Sequence, residues 1–148
     1  MANSRGEWHT IYMVVPKRSL SQEQRAALEK IGVTLAYLHG SVSKDIARDD
    51  SDVDVAVLFE SAQKDTVRAT ADVVAALQGF EVSREMDVAI LNTASPLFAQ
   101  NVAVHGELLY ARNERDVMSF YLRAMHEYEF SRRIAEIGRS SVFARAHL

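Results

Sequence analysis

Apolar runs separated by polar, turn-forming residues divide this chain into alternating extended and helical segments. Residues 9–15, HTIYMVV, favour extended structure without clean alternation, and Pro16 ends them. A helix is expected next. Ser21 and Gln24 have capping-box spacing, Ala27, Leu28 and Ile31 share one face, and Gly32 is placed to stop it. The run VTLAYL, from Val33 to Leu38, reads as a short buried strand leading into His39, Gly40 and Ser41. After a polar loop from Val42 to Ser51, a second strand, DVDVAVLF, is expected from Asp52 to Phe59. Val67, Ala71, Val74 and Ala75 mark a second amphipathic helix that stops near Gly79, and EMDVAIL, from Glu85 to Leu91, makes a third strand. Ser95 and Pro96 start another helix, because proline at the first helical position lacks only an N–H with no partner there. That helix ends near Gly106, ELLYA from Glu107 to Ala111 returns as a short edge strand, and residues 113–137 are helical again. Strands alternating with helices predict an α/β or α+β sheet domain.

The last helical segment carries two apolar stripes. At about 100° per residue, Val117, Tyr121, Met125 and Tyr128 fall on one side, with Phe130, Ile134 and Ile137 roughly opposite. Two arrangements satisfy this pattern. A break near Tyr128 gives two helices with separate core faces, or one stripe packs on the domain while the other meets a partner.

At 148 residues the chain has room for one domain. We expect that domain to span residues 1–148, with a core over 20–111 and a C-terminal helical segment over 113–139. With 48% hydrophobic and 25% charged residues, the composition is that of an ordinary globule. The absence of cysteine removes disulfides and thiolate metal sites, and suits a cytoplasmic setting. No apolar run approaches the roughly 18 residues of a membrane span, and MANSRGEWHTIY lacks the apolar core of a signal peptide. A formal charge of −3 argues against direct, broad nucleic-acid binding. A single nucleotide held through a metal stays compatible, because the metal brings the positive charge.

The candidate chemistry lies in Gly40-Ser41, ten residues, then Asp52-Val53-Asp54. Side chains alternate along a strand, so Asp52 and Asp54 share a face with Cα atoms about 6 to 7 Å apart, while Val53, Val55 and Val57 turn to the core. That separation suits a pair of divalent ions about 3.5 to 4 Å apart, and hard oxygen ligands favour Mg²⁺ or Mn²⁺ over zinc. Acids at a solvated strand start are common, and a lone pair would be read that way. Here aspartate interrupts a run of strong strand character, and Asp87 opens the third strand in the same manner. If those strands are neighbours, three carboxylates meet, an arrangement that cations stabilise. Gly40 lets backbone N–H groups approach a phosphate, and the Ser41 hydroxyl can donate to one. A plain turn is the other reading of that pair. Lys44 and Arg48 either hold a leaving pyrophosphate or are only solvated. His39 either touches the nucleotide or is packed, and packing is the commoner fate. His105, His126 and His147 have no metal-ligand spacing.

The pattern Gly40-Ser41-x₁₀-Asp52-x-Asp54 resembles the signature of the polymerase β-like nucleotidyltransferases. The short length and the third acid in EMDVAIL resemble its small branch, the minimal nucleotidyltransferases (MNT), over about residues 33–110. The resemblance implies that superfamily's fold, a mixed sheet flanked by helices, here with a C-terminal helix. It implies that Gly40 and Ser41 form the triphosphate-binding turn, that Asp52 and Asp54 are metal ligands, and that Asp87 is the third carboxylate, which activates the acceptor hydroxyl. Glu85, two residues earlier on the same strand face, has no role in this pattern. Many members carry arginine soon after the Gly-Ser pair. Val42, Ser43 and Lys44 stand there instead, and Arg48 is preferred to Lys44 as the phosphate cation. Compact MNT proteins are commonly antitoxins paired with a HEPN-type ribonuclease toxin. The activity implied is Mg²⁺-dependent transfer of AMP from ATP to a tyrosine hydroxyl of that toxin. The alternatives are a small-molecule nucleotidyltransferase, of the kind that modifies aminoglycosides, and an antitoxin that binds its toxin without catalysis.

Overall fold

The computed structural model describes residues 18–40, 52–81 and 85–146. Helix α1 spans Gln22–Lys30. Its start is a reciprocal capping box, in which Gln24 N–H donates to Ser21 Oγ at 3.1 Å and Ser21 N–H donates to Gln24 Oε1 at 2.8 Å. Past its end Gly32 adopts a φ of +84°, a left-handed conformation that glycine tolerates, and turns the chain into β1. Strand β1 (Val33–His39) pairs antiparallel with β2 (Val53–Phe59). Helix α2 (Thr66–Ala76), capped by the Asp65 side chain, leads to β3 (Met86–Ile90), which pairs parallel to β2. A 3₁₀ turn (Leu91–Thr93) and helix α3 (Pro96–His105) follow, with Ser95 as the N-cap and Pro96 in the first turn. Strand β4 (Glu107–Ala111) pairs with the free side of β1, and helix α4 covers Glu114–Ala146. The sheet order is β3-β2-β1-β4, so β4 is an edge strand as expected. The extended segment predicted at residues 9–15 lies outside the described residues.

Each sheet face has its own apolar layer. On one face, Val53, Val55 and Val57, all fully buried, pack with Leu38, Leu28 of α1 and Val73 of α2. On the other, Leu35, Tyr37, Ala56 and Leu58 pack against Ala99 and Val102 of α3 and Phe120 and Ala124 of α4. An irregularity between Val33 and Leu35 shifts the register of β1 by one residue. Val33 therefore shares a face with Ala36 and Leu38, while Leu35 and Tyr37 take the opposite one.

The packing face of α2 and the end of α4 are corrected, and the choice left open for α4 is decided. In α2 the stripe Val67, Ala71, Val74 and Ala75 faces solvent, and Val67 is 80% exposed. The buried line is Ala69, Val73 and Leu77. The helix is rich in small apolar residues on every side, so its pattern is degenerate. Leu77 and the partly buried Phe80, just beyond its last turn, anchor the face that packs. In α4 there is no break near Tyr128. One helix of 33 residues continues to Ala146, beyond the predicted end, and is about 50 Å long at about 1.5 Å per residue. Its buried line runs through Phe120 and Ala124, while Tyr121 is largely exposed. From Phe130 to Ala146 every residue is exposed. Arg132 pairs with Glu129 and Glu136, both at 3.0 Å, on the charged side of this segment.

Candidate active site

The acids gather where β1 ends and where β2 and β3 begin. Asp54 pairs in register with His39 on one side and with Asp87 on the other. Residues in register across a sheet point to the same face. Asp54 precedes Ala56 by two, Asp87 precedes Ala89 by two, and His39 follows Tyr37 by two. All three therefore share the face that α3 and α4 cover further along. Asp54 is half-buried, and Asp87 and Asp52 are exposed. Asp52 lies just before β2, two residues from Asp54, where continued strand alternation would put it on the same side. Glu85 contributes its backbone, accepting a hydrogen bond from Val53 N–H at 2.8 Å and extending the parallel pairing to the mouth of the site.

The parallel pairing of β2 with β3 brings Asp54 and Asp87 together, and the helix between the two strands makes that pairing possible. Among the described residues no three His, Cys, Asp or Glu side chains group closely enough to hold an ion by themselves. The donor set nevertheless fits Mg²⁺, which is commonly held by one or two carboxylates together with substrate phosphates.

Gly40 ends β1 with a φ of +77°, in the left-handed region. A Cβ built on it would lie 2.5 Å from Asp54 Oδ2. Glycine suits this position twice over, because its left-handed backbone strains any other residue and an added Cβ would displace the Asp54 carboxylate. Ser41, Lys44 and Arg48 lie outside the described residues.

His39 is packed edge-on against Phe98 of α3, with ring centroids 5.2 Å apart and planes at 86°. Burial lowers its pKa, and the negative charges of Asp54 and Asp87 oppose that shift. Beside this pair lies a small pocket of about 130 Å³, lined in part by Gly40, Asn101, Val102 and His105. Sequence reasoning missed Phe98 and Asn101 as neighbours of the site. Their only signal was the spacing Phe98, Asn101, Val102, His105, which places four residues along one side of a helix.

No curated protein matches the chain. Among solved structures, it is similar to a chain of a toxin–antitoxin complex with AMP-PNP, at 22% identity and a TM-score of 0.62, covering 83% of this chain and 99% of that one. It is also similar to a chain of the toxin–antitoxin MntA–HepT, at 21% identity and a TM-score of 0.55, covering 83% and 99%. A third similar chain belongs to a tri-AMPylated Shewanella oneidensis HEPN toxin in complex with MNT antitoxin, at 21% identity and a TM-score of 0.55, covering 84% and 99%. At these identities the likeness establishes the fold alone. Residues 23–115 match the family model described as "Polymerase beta, Nucleotidyltransferase". Matching that model over more than half its length, this chain belongs to the polymerase β nucleotidyltransferase family.

Proposed function

We propose that this protein is an antitoxin that transfers AMP from ATP to a tyrosine hydroxyl of a cognate HEPN-type toxin, and so neutralises it. The observation that carries the reading is the register of Asp54 with Asp87 beside Gly40, within a nucleotidyltransferase fold. Similar chains come from toxin–antitoxin complexes, one with AMP-PNP and one with a tri-AMPylated HEPN toxin, which supports a HEPN-type toxin as the partner that receives AMP. An ATP-dependent reaction suits a cytoplasmic setting, and among the described residues no helix is long and apolar enough to cross a membrane.

Asp52 and Asp54 would hold Mg²⁺, with Asp87 as the third carboxylate. The ion would supply charge neutralisation on the triphosphate and on the leaving pyrophosphate. Gly40 and Ser41 cradle the phosphates through backbone N–H groups and the serine hydroxyl, and Arg48 or Lys44 adds positive charge. Asp87 accepts the proton of the acceptor hydroxyl. That oxygen forms its bond to the α-phosphorus as the α–β bridging P–O bond breaks and pyrophosphate departs. Most of the rate enhancement in such a site comes from alignment and charge stabilisation.

The exposed ridge Phe130, Ile134 and Ile137 is the face we assign to the toxin, since these large apolar side chains are exposed and no described residue covers them. The test is co-purification of the chain with the product of its neighbouring gene, followed by intact-mass analysis after incubation with Mg-ATP. Mass increments of AMP on that partner, mapped to tyrosine, are expected. A partner that is bound but never modified would leave only toxin binding, and the catalytic reading would be wrong.

A further inference from the structure

We propose that the pocket beside Gly40 is the seat of the acceptor's aromatic ring, and that Asn101 and His105 form its rim. The inference rests on the reading above that a phenol hydroxyl accepts the AMP, and it adds where that phenol binds. Size is the first argument. The pocket holds about 130 Å³, close to the roughly 150 Å³ cavity that takes up benzene. Ligands of drug or nucleoside size occupy clefts of about 300 to 1,000 Å³. That volume matches one six-membered ring and is too small to bury a whole nucleoside.

Composition is the second argument. Phe98 and Val102 give the pocket apolar walls, and the His39 ring stands edge-on to Phe98. A further ring entering there meets aromatic surface, a contact that rings favour. Asn101 and His105 are exposed on the same side of α3 and offer polar atoms at the opening. Apolar walls with a polar rim suit the amphipathic side chain of tyrosine.

Position is the third argument. Gly40 lines the pocket and also lies against the Asp54 carboxylate, and Asp54 is in register with Asp87. Neither Asp54 nor Asp87 lines the pocket, but Gly40 is common to both, so a ring seated against Phe98 lies one residue away from the carboxylates to which its hydroxyl must pass a proton.

The experiment uses the full ¹⁵N-labelled chain titrated with N-acetyl-tyrosinamide, with N-acetyl-leucinamide and adenosine as comparators. We expect chemical-shift changes centred on Phe98, Asn101 and His105 with the tyrosine compound alone. Asn101→Trp, at an exposed helical position, should fill the pocket and abolish those changes, and His105→Trp does the same from the other side of the rim. In the transfer assay both variants should raise the acceptor KM about tenfold or more, with ATP affinity held within about twofold. Adenosine producing the same shifts would make this a nucleoside subsite and overturn the proposal. So would shifts scattered elsewhere, or two folded tryptophan variants with an unchanged acceptor KM. The ring titration needs no turnover, so the two readings fail separately: a wild-type chain that binds the tyrosine compound here yet never modifies its partner would sink the proposed activity and leave a phenol-binding pocket with no acceptor role.

Discussion

Replacing Gly40 by alanine separates the two demands made on that residue. Its φ of +77° lies where an L-residue is strained, at a cost of about 1 to 2 kcal/mol. For a chain of this size each kcal/mol lowers Tm by about 2 to 4 °C. The backbone effect alone therefore predicts a fall of about 2 to 8 °C. The second demand is local, because the new Cβ would sit 2.5 Å from Asp54 Oδ2 and the carboxylate would have to turn away. Misplacing a catalytic group by about 1 Å can cost about 10²-fold in rate. Gly32→Ala is the control, since Gly32 has a φ of +84° and nothing within 4 Å of the added Cβ. Both variants should lose similar stability in thermal melts. Only Gly40→Ala should lose transfer of label from α-labelled ATP, measured well below both melting points. Equal activity in the two variants would refute the claim that Gly40 is glycine for the sake of Asp54.

The remaining predictions concern the acids and the ridge. Asp54→Asn and Asp52→Asn should each abolish transfer with the fold intact by circular dichroism, since each removes a carboxylate proposed to hold the nucleotide's metal. Activity within a few-fold of wild type in both would end the metal-ligand assignment. Asp87→Asn should cost turnover far more than ATP affinity, and equal losses of ATP binding in all three variants would show that Asp87 has no separate role toward the acceptor. Ile134 is 54% exposed, so Ile134→Asp should leave Tm nearly unchanged. It should weaken the toxin complex about tenfold or more, because burying one large apolar side chain contributes about 1.5 to 3 kcal/mol before association costs. Undiminished binding in a pull-down would move the interface elsewhere, and a collapsed Tm would show that Ile134 belongs to the core.

Short-range chemistry was legible without coordinates. The capping box at Ser21 and Gln24, the Ser95-Pro96 start and the left-handed Gly32 stop each involve residues a few positions apart, so local geometry decides them. The three strands built on VTLAYL, VDVAVLF and MDVAI were equally clear, because β-branched and large apolar residues concentrate there. The spacing of Gly40-Ser41 from Asp52 and Asp54 carried the resemblance to the nucleotidyltransferases before any strand was paired. Helix faces were harder to read. In α2 alanine and valine surround the axis, and side-chain size at Leu77 outweighs counting apolar letters.

By itself, the sequence determined which segments are strands, where the capped helices start, and which side chains are candidates for the chemistry. Each of those depends on residues close together along the chain. The tertiary structure decided that β3 lies parallel to β2, so that Asp87 stands in register with Asp54, and that His39 completes the row from β1. It also decided that Phe98 and Asn101 border the site, and that α4 runs on unbroken with an exposed apolar ridge. Strand order, register and helix docking come from burying two sheet faces at once, a balance of contacts between residues far apart in the chain.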